Sequence, residues 1–527
     1  ITGNNTDALE QPRDKRSKMW HDWLRKRLAA NVPYDELVRG ILCATSRDGL
    51  KPEEWIKQVK AIDEAAQKGF DSAYAERPSL DLFWRRQGNV PIEQWGEKTA
   101  AAFMGVRLEC AQCHKHPFDR WTQADYRSYA NLFGPVVYGV SPECKQVVQA
   151  EVAERQKAGT AKGKQALLAV REVYVGGKPG SLANPDTNRP LPAKILGGPE
   201  VKVPRGQDPR VALFDWLRSP DNPFFARSLV NRVWGHYFGV GLVDPVDDFS
   251  LANPASNDKL LSALARDFVA HRFDLRQLEH TILTSRVYQL SAVPNPTNRL
   301  DRRNYSHAFV RRLMAEVVVD VVDSALGVKE DFGGKGGADV PPGSRAIEVA
   351  PSRVQNPNLS YVFRIFGRPP RTSACDCERA AEPALPQTLY LMTDQALLAK
   401  MRSPDGRLEQ LLKSGKGDDQ ILEELFLATL TRLPTQAERQ SFADYRAARK
   451  IPAAGPGPAK PMKEASEPPK QGKAQLAKKG KGEGAKGPDP AAAKKAKPEG
   501  AAKDGRLALF MDTLWALLNT REFILNH

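Results

Sequence analysis

Residues 91–135 read PIEQWGEKTAAAFMGVRLECAQCHKHPFDRWTQADYRSYANLFGP. From Pro91-Ile92 onward, Ile92, Trp95, Thr99, Phe103 and Val106 recur at spacings of three and four, the period of one helix face turned to a core. The spacing predicts a helix that runs directly into Cys110. After the cysteines and histidines, Thr122 and Asp125 stand as in a capping box, and Tyr126, Tyr129 and Phe133 follow before Gly134-Pro135 stops the helix. The stretch therefore reads as two helices with a chemically rich turn between them.

Helical patterns recur on either side. Met19–Leu28 is amphipathic and aromatic-rich. Asp208-Pro209 opens a new block as an N-cap followed by Pro at the first helical position, and Asn222-Pro223 repeats the device before Phe224–Phe238. Further helices are predicted at 257–271, 275–288, 306–326, 383–402, 418–430, 435–449 and 506–525. Residues 141–205 are expected to be irregular apart from a short strand at Glu172–Val175, and 327–345 is a Gly/Pro-rich loop. The expected fold class is mainly α: a multi-helix globular region with short irregular β pieces and a long insert rich in Lys, Ala, Pro and Gly.

That insert spans Pro452–Lys503 and contains no aromatic residue. It has too little apolar surface to offset its ordering entropy and is expected to be disordered. Its 12 Lys against 5 acids supply about half of the chain's net charge of +15. The basic excess is thus partly a property of the insert, and no stripe of Arg and Lys interleaved with stacking aromatics accompanies it. No specific nucleic-acid binding is expected; loose attraction to acidic polymers remains open. No apolar run approaches the ~18 residues of a membrane span, so no transmembrane segment is expected. The chain starts at Ile1 in mid-pattern and is expected to be a fragment or processed form, truncated at its N-terminus, from which a signal peptide is missing.

Five stretches point to one family. They are ECAQCHKHPFDRW at 109–121, SPDNPFFARSLVNRVWGH at 219–236, FGRPPR at 366–371, CDCER at 375–379 and LWALLNTREF at 514–523. Together they resemble the planctomycete proteins in which a cytochrome c-related (PSCyt-type) domain precedes a PSD-type domain, both of unknown function. The resemblance covers roughly 15–140 and 207–527 without the insert. It implies a PSCyt-type helical domain over 1–140, an irregular linker with a short strand over 141–206, and a PSD-type helical domain over 207–527 that contains the insert 452–503. It also implies secretion, to the periplasm or beyond the cell, and a haem motif.

The run Cys110-Ala-Gln-Cys113-His114 has the spacing of haem c attachment, with two thiols for the vinyl groups and the adjacent imidazole for the iron. The same pair also serves as half of a zinc or iron site, or as a disulfide. His116 is too close to His114 to ligate the opposite face of the same iron; it suits a role beside it, orienting His114 or meeting a propionate. Asp119 suits the first of these roles and Arg120 the second. Met104, Met392, His236 and His307 are open as distal ligands without positional support.

A second pair, Cys375 and Cys377, sits between Arg371 and Arg379. If this turn met Cys110–Phe118, the two cysteine pairs would converge on one zinc or iron, or Arg371 and Arg379 would neutralise a propionate. Otherwise the pair is a local disulfide or packed thiols. Arg364, Arg368, Arg371 and Arg379 form a basic cluster that serves carboxylate binding or ordinary salt bridging. Asp244, Asp247 and Asp248 miss the EF-hand spacing and suit local capping. Cys43 and Cys144 are isolated.

No Gly-rich phosphate loop, nucleophile elbow or HExxH helix is present. No residue is assigned a catalytic role. The leading expectation is a c-type-cytochrome-like protein with an electron-transfer or haem-based redox role, exchanging electrons with redox partner proteins. Two other classes stay open: a non-redox extracytoplasmic binding or scaffold protein with a structural metal or disulfide at the cysteine pairs, and a metal-dependent enzyme acting on polysaccharide, acidic polysaccharides being its partners.

Overall fold

The helix expected after Pro91 forms over Ile92–Met104 (α4), and its sequence explains both ends. Pro91, at φ −56° and ψ 150°, stands just before the helix, where its missing N–H costs no intrahelical bond. Gly105, at φ +67°, reverses the backbone in the left-handed region that favours glycine. The helix therefore stops six residues before Cys110, where the periodicity alone had carried it through. Eight residues of α4 are buried, among them Trp95, Thr99, Phe103 and Met104, so it needs cover on more than one side.

The computed structural model describes residues 9, 13–68, 73–157, 170–202, 204, 206–333, 340–341, 343–368, 385–455 and 498–526. The chain is mainly α and forms two compact units. The first comprises 1–318, 330–384 and 525–527; the second comprises 319–329 and 385–524.

In the first unit, α1 (Arg13–Ala29), α2 (Tyr34–Leu42) and α3 (Pro52–Lys68) precede α4, and α5 (Gln123–Ala130) packs on it. Next come β1 (Val136–Gly139), α6 (Pro142–Lys157) and β2 (Glu172–Val175), with β1 and β2 antiparallel in the register Val136↔Val175. Helices α7 (Pro209–Leu217), α8 (Phe225–Phe238), α9 (Asp258–Ala270) and α10 (Leu275–Leu283) follow, and a two-residue ladder joins Arg311–Arg312 to Leu525–Asn526.

Helix α6 lies in the segment expected to be irregular. Ser141 caps it through its hydroxyl, and its buried Cys144 joins Trp55, Ile56 and Val59 of α3 in a small apolar cluster. Its own sequence lacks a continuous apolar stripe, so the contact that stabilises it was invisible locally. The helix expected at 306–326 occupies only Ala315–Leu326, and the helix expected at 506–525 begins at Pro498, inside the segment expected to be disordered, and ends at Leu518. Residues 456–497 of that segment lie outside the described residues.

One buried cluster runs from Leu9 to Tyr305, so the segments 1–140 and 207–305 share a core. Tyr34 stacks on Phe225 at 5.0 Å, and its backbone N–H donates to Phe273 O at 2.9 Å. Arg232 of α8 donates to the carbonyls of Ala101 and Ala102, placing a cation where the last turn of α4 leaves acceptors open. Arg210 has no solvent exposure: it forks onto Asp208, donates to Ala44 O at 3.1 Å and lies 4.8 Å from the Trp84 ring. Asp81, also fully buried, accepts from Ser46 and Tyr74 hydroxyls and faces Arg77 and Arg85.

The second unit is built around Leu425, Leu509, Phe510 and Leu514 on helices Asp418–Leu430 and Pro498–Leu518. Its buried Asp418 is neutralised by Arg506 at 2.8 Å and Arg446 at 3.3 Å. No helix among the described residues is long and apolar enough to cross a membrane.

Two outcomes follow for the first unit. Arg210→Ala strands Asp208 and empties a buried volume, and is expected to destabilise the unit by about 3–5 kcal/mol in urea titration. Burial by itself would raise the Asp81 carboxyl, but Arg77 and Arg85 outweigh it and hold it below its ordinary value. Its contribution is therefore fully present above about pH 3.9 and is lost as pH falls through the depressed folded value. Asp81→Asn should lower stability at neutral pH and flatten that acid limb in unfolding curves measured between pH 2 and 6.

Candidate functional site

The Cys-His turn hangs on buried apolar anchors. Val106, Leu108 and Ala111 point into the core, and a short 3₁₀ turn at Glu109–Gln112 closes with Ala111 N–H donating to Leu108 O at 2.8 Å. Between these anchors Cys110 and Cys113 stand exposed as free thiols, followed by an exposed His114. Cys43 and Cys144 differ: burial pushes the thiol of Cys43 up to about 12 and that of Cys144 to about 11, which keeps both protonated and inert.

His114 Nδ1 lies 2.6 Å from Lys115 O. A carbonyl oxygen only accepts, so Nδ1 is the donor, and in the neutral imidazole the lone pair is then on Nε2. The orienting role expected of His116 is thus filled by a backbone carbonyl. His116 is buried instead; its ring nitrogen Nδ1 accepts from Phe118 N–H at 3.3 Å, and its backbone N–H donates to Trp121 O at 2.8 Å. Those two bonds fold 116–121 into a compact loop. Asp119 accepts from Arg120 N–H, and Arg120 lies over Trp121 at 4.6 Å and Phe224 at 5.7 Å.

The far side of the turn is tied to α5 and to a later loop. Thr122 and Asp125 form the expected capping box, and Gln123 donates to Gln112 O at 2.6 Å. Phe249 N–H donates to Gly105 O at 2.9 Å, Ala252 N–H to Phe118 O at 3.2 Å, and Arg107 pairs with Asp247. Asp247 is therefore neither a cation ligand nor a cap; it clamps this loop to the chain just before Cys110. The same loop carries Leu251, 68% exposed, while Phe118 on the turn is 65% exposed. Sequence reasoning missed Lys115 O, Gln123 and Leu251 and read Asp247 as a local cap, since Lys115 acts through its backbone and Asp247 and Leu251 through a loop more than 100 residues away.

Other expected residues scatter. Met104 is fully buried beside Tyr129, His307 is buried against Phe309, and His236 is exposed on α8 with its ring against Tyr237. Met392 is part-exposed in the second unit. Arg368 pairs with Glu316 at 3.1 Å and lies over Phe363, and Arg364 lies over Tyr361, the ordinary structural uses of arginine. Arg371, Cys375, Cys377 and Arg379 lie outside the described residues, and with them the expected meeting of the two cysteine turns. Among the described residues no three His, Cys, Asp or Glu side chains are grouped so as to hold a metal ion.

Residues 2–138 match the family model PSCyt2, described as a protein of unknown function (DUF1549). Residues 209–446 match PSD1, likewise a protein of unknown function (DUF1553). No curated protein and no solved structure matches the chain.

Gly105 sets the direction in which the turn leaves α4. A Cβ there would lie 2.8 Å from Ser228 Oγ and 2.9 Å from Phe249, at a positive φ. Gly105→Ala is expected to cost about 2–4 kcal/mol in chemical unfolding, from strain and overpacking together.

Proposed function

We propose that this chain, a PSCyt2 segment joined to a PSD1 segment, is a c-type-cytochrome-like protein of the periplasm or cell exterior whose redox group is carried on the Cys110–His114 turn. The observation that carries the reading is the state of the turn. Two free thiols and an imidazole stand exposed together, and the imidazole presents Nε2 with Nδ1–H donated to a backbone carbonyl. Metal-ligating histidines are oriented in this way, because the second hydrogen bond fixes the tautomer and raises ligand basicity.

Haem c fits these residues. Cys110 and Cys113 would hold it as thioethers and His114 would ligate the iron through Nε2. The exposed Phe118 on the turn and Leu251 on the adjoining loop supply apolar surface of the kind a porphyrin covers. When bound, the group supplies one-electron redox chemistry, for which another redox protein would be the partner. The protein's own contribution is rigidity: the Arg107–Asp247 pair and the Gln123 bond to Gln112 O hold the attachment points to one geometry.

The rival with a preformed zinc or iron site has less support, since among the described residues no three His, Cys, Asp or Glu side chains, Cys110, Cys113 and His114 included, are grouped so as to hold a metal ion. A polysaccharide-directed metalloenzyme has no further residue in its favour.

Protein made in a host with a cytochrome c maturation system is expected to show a Soret band that survives acid–acetone extraction. Cys110→Ser and Cys113→Ser should each abolish covalent retention, His114→Ala should abolish the low-spin or ligand-dependent features of the spectrum, and Cys43→Ser should change nothing. A colourless, zinc-loaded protein, or unchanged haem content in all three site variants, would overturn the reading.

A further inference from the structure

At the opposite end of α4 from the Cys-His turn, a cleft of about 330 Å³ opens between the first turn of the helix and the β1–β2 ribbon. Arg86, Val90, Ile92, Trp95, Tyr138 and Arg171 contribute to its wall. Arg86 is 3% exposed, and its Nε, Nη1 and Nη2 are all buried without a hydrogen-bond partner. The neighbouring arginines each have a partner, although Arg85 Nε is itself buried without a hydrogen bond. Arg85 faces Asp81 at 3.6 Å, while Arg171 donates to Tyr138 O at 3.1 Å and lies 4.1 Å over that ring.

No ion pair compensates Arg86 among the described residues. Lys98, itself pulled down first by burial and then by Arg86, is a second cation. Glu93, on the first turn of α4, makes no ion pair with Arg86, whose other neighbour is the Trp20 ring at 5.7 Å. The N-terminus of α4, a thirteen-residue helix without a side-chain cap, adds the positive end of its dipole to the same wall. Burial pulls Arg86 down to about 9, which still leaves it charged at neutral pH. A guanidinium keeps its proton inside proteins, so a buried, unmatched one is balanced by bringing in an anion.

We propose that this cleft binds a small organic carboxylate, its two oxygens forked on Arg86 and its apolar body lying against Val90, Ile92 and Tyr138. The guanidinium fork matches a carboxylate in two parallel hydrogen bonds. The wall mixes polar groups with the aliphatic and aromatic side chains of Val90, Ile92, Trp95 and Tyr138, and an inorganic anion would leave that apolar part uncovered. The volume stands at the small end of small-molecule sites, so the ligand is about the size of one ring with its acid group. Arg171 at the rim is the second cation for a ligand with an additional acidic or hydroxyl group. The site is independent of the redox reading: α4 separates the two by about 20 Å.

Sodium benzoate is the probe. Added to the full chain at constant ionic strength, it is expected to raise the thermal midpoint saturably and to change the tryptophan fluorescence, since Trp84 and Trp95 line the cleft. Sodium chloride, sulfate and phosphate should not do so at the same concentration. Arg86→Met is expected to weaken benzoate binding at least about tenfold while leaving the ligand-free midpoint equal to or above that of the parent, because an unmatched buried charge has gone. Arg86→Lys keeps the charge without the fork and should weaken binding by a similar factor. Arg171→Gln, at an exposed position, should weaken it less, and keeps the test open if the Arg86 variants do not fold. Equal responses to inorganic anions, no saturable response to benzoate, or parental affinity in both Arg86 variants would overturn the proposal.

Discussion

Burial of α4 on several sides is the constraint on which the first unit depends. Its residues Trp95, Gly96, Thr99, Ala100, Ala101, Ala102, Phe103 and Met104 are all withdrawn from water. A helix with so wide an apolar face cannot be covered by α5 alone; α8, from more than a hundred residues later, supplies further packing and sends Arg232 to its C-terminal carbonyls. The small residues Gly96, Ala100 and Ala102 allow this close approach, with Tyr129 and Ala130 against Gly96. Both chemically notable places in the unit are then fixed by where α4 begins and ends.

This sharing of one core explains why the boundary between the two family segments is not a boundary in packing. A 140-residue segment could in principle close its own core. Here it leaves Tyr34 to stack on Phe225 and Trp84 to lie beneath Arg210, so that its apolar surface is completed by the later segment. Arg210 is the clearest sign of interdependence. Its guanidinium is buried only because Asp208, Ala44 O and the Trp84 ring together replace the water it loses. Removing either segment would leave the other with exposed aromatics and a stranded charge.

The two ends of α4 illustrate opposite ways of making a residue available for chemistry. At the C-terminal end the thiols and His114 are held out in solvent by anchors that point inward, and a hydrogen bond to a backbone carbonyl sets the imidazole tautomer. Access is open and the selectivity lies in donor geometry. At the N-terminal end a single guanidinium is withdrawn from solvent and left unmatched, so that selectivity lies in charge and in the apolar wall beside it. The half-buried thiol of Cys43 and the buried thiol of Cys144 show the third case, in which the same functional group is packed away and made unreactive.

The helices at Ile92–Met104, Pro209–Leu217 and Gln123–Ala130 were legible in the sequence because their causes are local: a three-four apolar period, an Asp-Pro start, a Thr-x-x-Asp cap. The strand at Glu172–Val175 and the Cys110–His114 run were legible for the same reason. What the sequence by itself determined is therefore the mainly helical character of the chain and the presence of one compact cysteine-histidine turn. Tertiary structure decided the rest, because the deciding partners are distant. Helix α6 rests on Trp55 and Val59, Asp247 finds its partner in Arg107, and the ring of His116 turns to Phe118 N–H and away from His114. Arg86 belongs to the same group: nothing in Trp84-Arg85-Arg86 distinguishes two adjacent arginines, and only the packed fold gives one of them Asp81 and leaves the other without a counter-charge.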